Sequence, residues 1–267
     1  MKLTNKNYYS QKANKEFFSV SQIKDFLKCE AQAMAKLSGE WVEEPTTAML
    51  IGSYVDSWFE GTLDDFKERT PQIFKKDGSL KSDYIKAEKI IERVQKDELF
   101  MKCMSGKKQV IMTGEIYGEK FKIKMDSYIP HEAIVDLKCI QKIRDITFKN
   151  GYKQTFIEQW GYDLQLAVYQ EIVRQNTGEI LPCIIAAVDK QEYADIECIL
   201  IPQEQLDFQL KNLEWKLKRI AKVKRGEEEP HSCGLCNYCK STKKLERLIL
   251  PDEIISSTMK GNKNENW

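Results

Sequence analysis

The sequence has no long apolar run. None of its 267 residues lies in a stretch approaching the roughly 18 consecutive apolar residues of a membrane-spanning helix. Its polar first 18 residues also lack the apolar segment of a secretory signal. We therefore expect a cytoplasmic protein with no membrane partner.

An excess of charge of either sign is missing too. The chain has 42 basic and 41 acidic residues, which leaves a net charge of +1. Bulk charge therefore neither favours nor excludes a polyanionic partner. A surface for such a partner would have to come from local clustering of basic side chains.

The hydrophobic pattern predicts an α/β order of elements. Helical periodicity covers 18–37, 46–61, 81–100, 156–178 and 203–228. Strand-like patterns cover 108–129, with a turn at 117–120, and then 132–140, 180–190 and 194–202. This order predicts one domain over 19–245, with a central mixed β-sheet flanked by helices and with helical decorations at both ends. We expect residues 1–18 to be flexible and 246–267 to form a polar tail.

Two of the strand-like runs carry carboxylates. Asp126 follows alternating lysines, and Asp136-Leu137-Lys138 lies within the apolar run 132–140. If these strands are neighbours, Asp126, Asp136 and Lys138 meet on one patch, because alternate side chains of a strand point to the same face. Two carboxylates can hold a hard cation such as Mg²⁺, and the carbonyl of Leu137 is a further oxygen ligand. A lysine beside them can stabilise developing negative charge.

The D-x-K string alone is a weak signal. Asp65-Phe66-Lys67 also matches it, in a helical context where a solvated surface is a sufficient explanation. The 136–138 copy differs because it lies in an apolar strand with a strand-borne aspartate upstream. An ion pair at a strand end is the alternative interpretation of this copy.

Asp126, Asp136-Leu137-Lys138 and the segment from Gln165 to Tyr169, Q-L-A-V-Y, together resemble the PD-(D/E)xK nuclease superfamily. The closer likeness is to its phage-type recombination exonucleases, the RecE-like and lambda-exonuclease-like group, and to RecB-type nuclease domains. These share a helix, a hairpin bearing the first aspartate, a strand ending in D-x-K and a helix with Q-x-x-x-Y, in the order found here. The resemblance spans about residues 19–245 and implies a restriction-endonuclease-like α/β core.

The same resemblance implies roles for individual residues. Asp126 and Asp136 would bind Mg²⁺ or Mn²⁺, and Lys138 would be the lysine of the motif. Gln165 and Tyr169, one helical turn apart, would contact the DNA strand or order the catalytic centre. An ordinary helix surface is the alternative for this last pair.

Two more acidic residues are candidate metal ligands. Many relatives carry a histidine ligand on the first core helix, and in "GSYVDSWFEG" the corresponding residue is Asp56. Asp56 would be a ligand or, alternatively, a helix-surface or capping residue. Glu115 resembles an acidic position before the first aspartate and would support the ligands, bind a second metal or be a surface charge.

The cysteines divide into two groups, because a reducing cytosol argues against a disulfide framework. Four lie in apolar runs and are expected in the core: Cys103, Cys139, Cys183 and Cys198. Cys233, Cys236 and Cys239, in "HSCGLCNYC", have the spacing of metal ligands. Adding His231 would complete a tetrahedral zinc site.

Adding Cys29 instead gives a cluster that resembles another branch of the superfamily. In helicase–nuclease and CRISPR-associated members, an N-terminal cysteine and three C-terminal cysteines hold a [4Fe–4S] cluster. Either metal would be structural and distinct from the catalytic ion.

The resemblance implies a metal-dependent DNA exonuclease of phage or prophage recombination type, which hydrolyses phosphodiester bonds at double-stranded DNA ends. It also implies a single-strand annealing protein as a partner and, in some relatives, a ring-like homo-oligomer. A RecB-type or CRISPR-associated iron–sulfur nuclease acting on single-stranded DNA is the first alternative. A non-catalytic DNA-binding module with the nuclease fold is the alternative from another class.

Overall fold

A computed structural model describes residues 1–149, 151–245 and 247–254 of the chain. Its internal contacts separate two compact units. The first unit contains residues 1–43, 115–122 and the described residues from 212 onward, and the second contains residues 44–114 and 123–211. None of the helices in the described part combines the length and the apolar character that crossing a membrane requires.

The second unit holds most of the α/β core. Its helices are α4 (Thr47–Glu60), α5 (Leu63–Arg69), a 3₁₀ turn (Pro71–Ile73), α6 (Ser82–Gln95), α7 (Glu98–Cys103), α8 (Phe156–Trp160) and α9 (Tyr162–Thr177). Its strands are β3 (Ser127–Ile129), β4 (Ala133–Ile140), β5 (Thr147–Lys149), β6 (Tyr152–Gln154), β7 (Cys183–Asp189) and β8 (Ile196–Leu200).

Four of these strands form a mixed sheet in the order β3-β4-β7-β8. Strand β4 runs antiparallel to β3 and parallel to β7, with Asp136 opposite Ile185 and Lys138 opposite Ala187. One face of the sheet is covered by α4 and α6, where Val135 and Leu137 pack among buried residues such as Tyr54 and Ile91. The expected α/β core with a central mixed sheet flanked by helices is confirmed.

Three elements contribute residues to both units. They are β1 (Val110–Ile116), β2 (Glu119–Met125) and α10 (Gln203–Arg225). Strands β1 and β2 pair as the expected hairpin. Tyr117 and Gly118 form its turn with positive φ angles of 51° and 81°, a backbone region in which glycine carries no steric penalty.

The first unit contains the short helices at both ends of the described chain. They are α1 (Gln11–Glu16), α2 (Val20–Lys28), α3 (Glu30–Ser38) and α11 (Asn237–Ser241). The sequence predicted one helix over 18–37, but the structure has two helices that are separated at Cys29. Cys29 has extended backbone angles, φ −163° and ψ 109°, which end α2 and begin α3. The break frees the Cys29 side chain from a helical surface.

The N-terminal segment contributes three aromatic side chains to the core. Residues 1–18 were expected to be flexible, yet Tyr8, Phe17 and Phe18 are buried. The Phe18 backbone pairs with that of β2, since its N–H donates to the carbonyl of Lys120 (2.7 Å) and its carbonyl accepts from the N–H of Lys122 (2.8 Å). These few apolar residues could not be recognised as core residues in a segment that is otherwise polar. The boundaries of 19–245 as one domain stay a prediction, and most of the polar tail, 255–267, lies outside the described residues.

Lys122, which is buried, and Lys224, which is half-buried, hold this segment through contacts with uncharged oxygen atoms. Lys122 is 1% exposed, and its ammonium donates to Asn14 Oδ1 at 2.7 Å and to the carbonyl of Tyr8. Lys224 donates to the carbonyl of Phe17 (2.9 Å) and to Gln22 Oε1 (2.8 Å). Burial lowers the pKa of Lys122 to about 8. Burial, and then repulsion from Lys122, lower the pKa of Lys224 to about 7, although Glu119 opposes this shift.

These lysines predict a pH-dependent stability that the variant Lys224→Met should reveal. The folded-state pKa lies below the unfolded value of about 10.4, so the unfolded chain binds more protons between about pH 7 and pH 10. The free energy of unfolding of wild type, minus that of the variant, should therefore rise with pH in this window, by at most about 1.4 kcal/mol per unit. Urea unfolding at pH 7, 8 and 9 measures it.

The exposed Lys211 provides the control, because Lys211→Met should give a curve parallel to that of wild type. A difference between wild type and Lys224→Met that stays flat or falls as the pH rises would contradict this account of the two lysines.

Candidate metal and nucleic-acid site

Strand β4 places the acidic and basic residues of the candidate site on one face. Val135 and Leu137 point into the core, so Asp136 and Lys138 point to the opposite face of the sheet. Asp136 is 1% exposed, and its carboxylate forms an ion pair with the ammonium of Lys138. This ion pair is the alternative that the sequence left open, but it does not stand alone.

Asp126 joins the pair from the preceding strand. It lies between β2 and β3, and its Oδ2 accepts a hydrogen bond from the backbone N–H of Leu137 at 2.9 Å. This contact holds the Asp126 carboxylate against β4 at Leu137, the residue between Asp136 and Lys138. Burial, and then repulsion from Asp136, raise the pKa of Asp126. The predicted convergence of Asp126, Asp136 and Lys138 is what the structure shows.

Helix α9 brings the glutamine and the tyrosine to the same carboxylate. Gln165 Nε2 donates to Asp136 Oδ1 at 2.7 Å and lies 3.2 Å from the hydroxyl of Tyr169. The Tyr169 hydroxyl in turn donates to the carbonyl of Lys124 at 3.1 Å. Gln165 and Tyr169 therefore connect the helix to the strands that carry the carboxylates, and they are not an ordinary helix surface.

The start of α9 is held by a buried carboxylate and a glycine. The sequence predicted one helix over 156–178, but Gly161, with φ 59° and ψ 43°, separates α8 from α9. Asp163 is 1% exposed and accepts hydrogen bonds from Gln205 Nε2 (3.0 Å) and Gln209 Nε2 (2.8 Å). The break also places the Tyr162 ring 4.9 Å from the Lys138 ammonium, where it forms a cation–π contact.

Asp56 on α4 is electrostatically part of the site. Burial, and then the neighbouring carboxylate of Glu60, raise the pKa of Asp56 to about 7, while Lys138 and Lys124 partly oppose the shift. Repulsion from Asp56 also contributes to the raised pKa of Asp126. Glu60 was not predicted as a site residue, although its i, i+4 position relative to Asp56 on one helix was a usable signal.

The charges of the site suit a divalent cation. Burial, and then Asp136 and Asp56, hold the pKa of Asp126 well above its usual range, so the nearby lysines do not compensate the clustered carboxylates. Burial would lower the pKa of Lys138, but Asp136 and Asp126 raise it above its ordinary value. A cation with oxygen preference would relieve the repulsion among these carboxylates, which are the ligands that Mg²⁺ and Mn²⁺ favour.

One further lysine was missed by the sequence analysis. Asp126 and Asp56 act electrostatically on Lys108, whose pKa burial nevertheless lowers. The segment just before Lys108 packs closely against Tyr128. Gly106 leaves no room for a side chain there, because a Cβ atom would lie 2.6 Å from the carbonyl oxygen of Tyr128. Lys107 then pairs with Tyr128 through two backbone hydrogen bonds of 2.8 and 2.9 Å. No sequence spacing signals this contact between distant segments.

The metal-ligand roles of Asp56, Glu115, Asp126, Asp136 and Leu137 all stay predictions. The backbone N–H of Leu137 contacts Asp126, and a role of its carbonyl as a metal ligand is untested. Glu115 lies exposed on β1, and its assignment to a second metal or to a supporting position is untested as well.

The four cysteines form the second cluster of metal-binding character. The Sγ atoms of Cys29, Cys233, Cys236 and Cys239 all lie within 4.8 Å of one another. Cys239 Sγ is 3.5 Å from Cys29 Sγ and 3.9 Å from Cys233 Sγ. Among the described residues, these four cysteines are the group of three or more potential metal ligands whose ligand atoms lie this close together. The fourth member is thus Cys29, brought there by the break between α2 and α3.

Hydrogen bonds to sulfur prepare this cluster for a metal. The N–H groups of Leu235 and Cys236 donate to Cys233 Sγ at 3.4 and 3.3 Å, and the Ser232 hydroxyl donates to Cys239 Sγ at 2.9 Å. Burial would raise the pKa of Cys239, but the bonds from Ser232 and the Gly234 backbone lower it to about 7. Burial raises the pKa of Cys236 to about 12.

The alternative fourth ligand, His231, is placed elsewhere. Its side chain is 84% exposed, and Nδ1 lies 3.9 Å from Glu30 Oε2. Its backbone carbonyl instead accepts the N–H of Ala31 at 3.0 Å. The zinc site with His231 as a ligand is therefore not the arrangement that the structure forms.

Comparison with known proteins agrees with this geometry. Residues 19–242 match a family described as a PDDEXK-like domain of unknown function (DUF3799). The crystal structure of a protein from Eubacterium rectale, named "Putative exonuclease", is 51% identical, with a TM-score of 0.93 over 95% of this chain and 98% of that chain. SSO0001 matches 86% of this chain and 96% of its own at 12% identity, and its TM-score of 0.33 carries no argument. A search of curated proteins found no match.

The family match and the bacterial neighbour support a nuclease of the PD-(D/E)xK superfamily, while the closer likeness to phage-type exonucleases stays a prediction. Because the match covers most of the sequence, the chain belongs to the family of the PDDEXK-like domain of unknown function (DUF3799).

Proposed function

We propose that this protein is a metal-dependent exonuclease that hydrolyses phosphodiester bonds at the ends of DNA. The observation that carries the proposal is the convergence of Asp126, Lys138 and Gln165 on the segment of β4 that carries the buried Asp136. The name of the 51% identical neighbour supports an action on ends.

Asp126 and Asp136 would hold the divalent cation, with Asp56 as a third carboxylate. When bound, such a cation neutralises charge on a phosphoryl oxygen and lowers the pKa of a water molecule. The protein's own contribution is to fix the ligands. Leu137 holds Asp126 through its N–H, and Gln165 holds Asp136 at 2.7 Å. The two carboxylates are therefore already held in position before substrate binds.

Lys138 would stabilise the negative charge that develops on the phosphate. Burial would lower the pKa of this lysine, but Asp136 and Asp126 raise it, which favours the positively charged ammonium. The Tyr162 ring and the Asp136 carboxylate keep its ammonium in place. Gln165 and Tyr169 position this group of residues from α9, and they would also contact the DNA strand.

We also propose that the four cysteines hold a structural metal centre. Sulfur atoms around one tetrahedral zinc ion are about 3.8 Å apart, given Zn–S bonds of about 2.3 Å. The observed separations of 3.5 and 3.9 Å support this single ion. A [4Fe–4S] cluster is the alternative, and it would accompany the RecB-type or CRISPR-associated activity on single-stranded DNA. Visible absorbance of the purified protein distinguishes a brown cluster from colourless zinc.

A single-strand annealing partner, a ring-like homo-oligomer and a cytoplasmic location stay predictions. A non-catalytic module with the nuclease fold stays the alternative from another class, and intact Asp126, Asp136 and Lys138 argue against it.

The experiment that tests the proposed function compares DNA with and without ends. Linear duplex labelled separately at each end, and a covalently closed circle of the same sequence, are incubated with or without added Mg²⁺. We expect progressive loss of the linear duplex only with Mg²⁺, while the circle survives. Cleavage of the circle would instead indicate an endonuclease, and inert protein would favour the non-catalytic module.

A further inference from the structure

A small hairpin that the sequence analysis did not anticipate emerges between β4 and α8. Strands β5 and β6 pair in antiparallel fashion within the segment 141–155. Phe148 and Tyr152 on these strands are 70% and 77% exposed. Isolated two-stranded hairpins are at best marginally stable in water, and these two large rings gain little from burial. Exposed aromatic rings on such an element suggest a binding surface.

The strand register places one aromatic ring and one lysine side by side on each face. Phe148 is opposite Lys153, and Lys149 is opposite Tyr152. Residues directly opposite each other share a face, with Cβ atoms about 5 Å apart, while neighbours in sequence point to opposite faces. The sequence from 147 to 154 contains no acidic residue that would neutralise these lysines within the hairpin.

Both ends of the segment are rooted at the candidate catalytic site. The chain leaves the sheet at the end of β4, two residues after Lys138. It returns at Thr155, where a capping box with Glu158 fixes the start of α8. The Phe156 ring then contacts the Tyr162 ring, with centroids 6.2 Å apart, and Tyr162 contacts Lys138.

An aromatic ring next to a lysine ammonium group, as on each face of this hairpin, is suited to binding single-stranded DNA. A base stacks on the aromatic ring, and the adjacent lysine contacts the neighbouring phosphate; such stacking tolerates any sequence. A protein partner or a second copy of the chain fits less well, because lysine is depleted from the centres of protein interfaces. We propose that the β5–β6 hairpin binds single-stranded DNA next to the site of hydrolysis, an inference that rests on the proposed function.

The first test measures the binding of a fluorescein-labelled oligothymidine in buffer without added divalent cation, where cleavage does not interfere. Stacking on each ring predicts that Phe148→Ala/Tyr152→Ala binds about 100-fold more weakly than wild type, roughly tenfold for each ring. Phe208 on α10 is 61% exposed, and Phe208→Ala should bind like wild type. Near-equal affinity of the hairpin variant and wild type would overturn the proposal.

A second variant tests the phosphate contacts through the dependence of affinity on salt. Each lost contact to a single strand should reduce the slope of log K against log salt concentration by about 0.7. We therefore expect Lys149→Gln/Lys153→Gln to have a shallower slope than wild type. Lys86 and Lys89, exposed on α6, give the matched control Lys86→Gln/Lys89→Gln, whose slope should equal that of wild type. An unchanged slope in the hairpin variant contradicts phosphate contact.

Two more outcomes separate this inference from the proposed function. A changed sedimentation mass of Phe148→Ala/Tyr152→Ala, with unchanged oligothymidine affinity, would show a contact between copies of the chain and overturn the inference. Wild type that binds oligothymidine through the hairpin but digests no linear duplex would instead overturn the proposed function and support the inference.

Discussion

Asp136→Asn should abolish metal-dependent DNA cleavage, lowering its rate by about 1000-fold or more. The substitution keeps the shape of the side chain but removes the negative charge that faces Lys138 and the proposed cation. The Asp126 carboxylate would remain to neutralise Lys138, so the fold should persist. Initial rates of linear duplex digestion in Mg²⁺, with circular dichroism of the same sample, measure both effects.

The chain supplies a matched control for this variant in its second D-x-K string. Asp65 is exposed on α5 and precedes Phe66 and Lys67. We expect Asp65→Asn to digest DNA at the wild-type rate, because the string has no function outside the β4 context. Activity in a folded Asp136→Asn protein would show that the carboxylate does not take part in hydrolysis.

Cys239→Ala should remove the structural metal and destabilise the first unit. Cys239 Sγ lies 3.5 Å from Cys29 Sγ and 3.9 Å from Cys233 Sγ, and the four thiols connect helix α3 with the C-terminal segment. Structural metal binding contributes directly to folding free energy, and losing about 4 kcal/mol of it would lower the Tm by roughly 10 °C. Metal analysis by mass spectrometry and a thermal melt measure the two consequences.

Cys198 on β8 is a partly buried cysteine outside this cluster and gives the control. Cys198→Ala should retain the full metal content and melt within a few degrees of wild type. A Cys239→Ala protein with an unchanged Tm would show that the four cysteines do not stabilise the fold through a metal.

The order of helices and strands could be predicted because each element carries its own period. The run at 132–140 was identified as a buried strand, and β4 lies between β3 and β7. The positions of Asp136 and Lys138 then follow, since a strand alternates faces. Asp126 could be assigned because the hairpin that carries it alternates as well.

The helix breaks could not be predicted from periodicity. Apolar residues continue at helical spacing through Cys29 and Gly161, yet the backbone changes direction at both. Gly161 is a recognisable signal, since its left-handed conformation favours glycine. Cys29 is not, because its extended backbone serves contacts with the C-terminal cysteines, which are more than 200 residues away.

Long-range contacts account for the other differences. Lys108 joins the candidate site through tertiary packing, which no local spacing encodes. The N-terminal segment buries Tyr8, Phe17 and Phe18, three apolar residues among many polar ones. The short strands β5 and β6 lie in a segment whose composition resembles a loop.

The most direct test of the carboxylate site is Mn²⁺ binding followed by electron paramagnetic resonance. Mn²⁺ prefers oxygen ligands, so the cysteine cluster competes poorly for it. The account predicts that wild type binds Mn²⁺ and that Asp126→Asn/Asp136→Asn binds it at least about tenfold more weakly, because ligand charge sets the affinity. Equal Mn²⁺ affinity in the two proteins would contradict a cation held by Asp126 and Asp136.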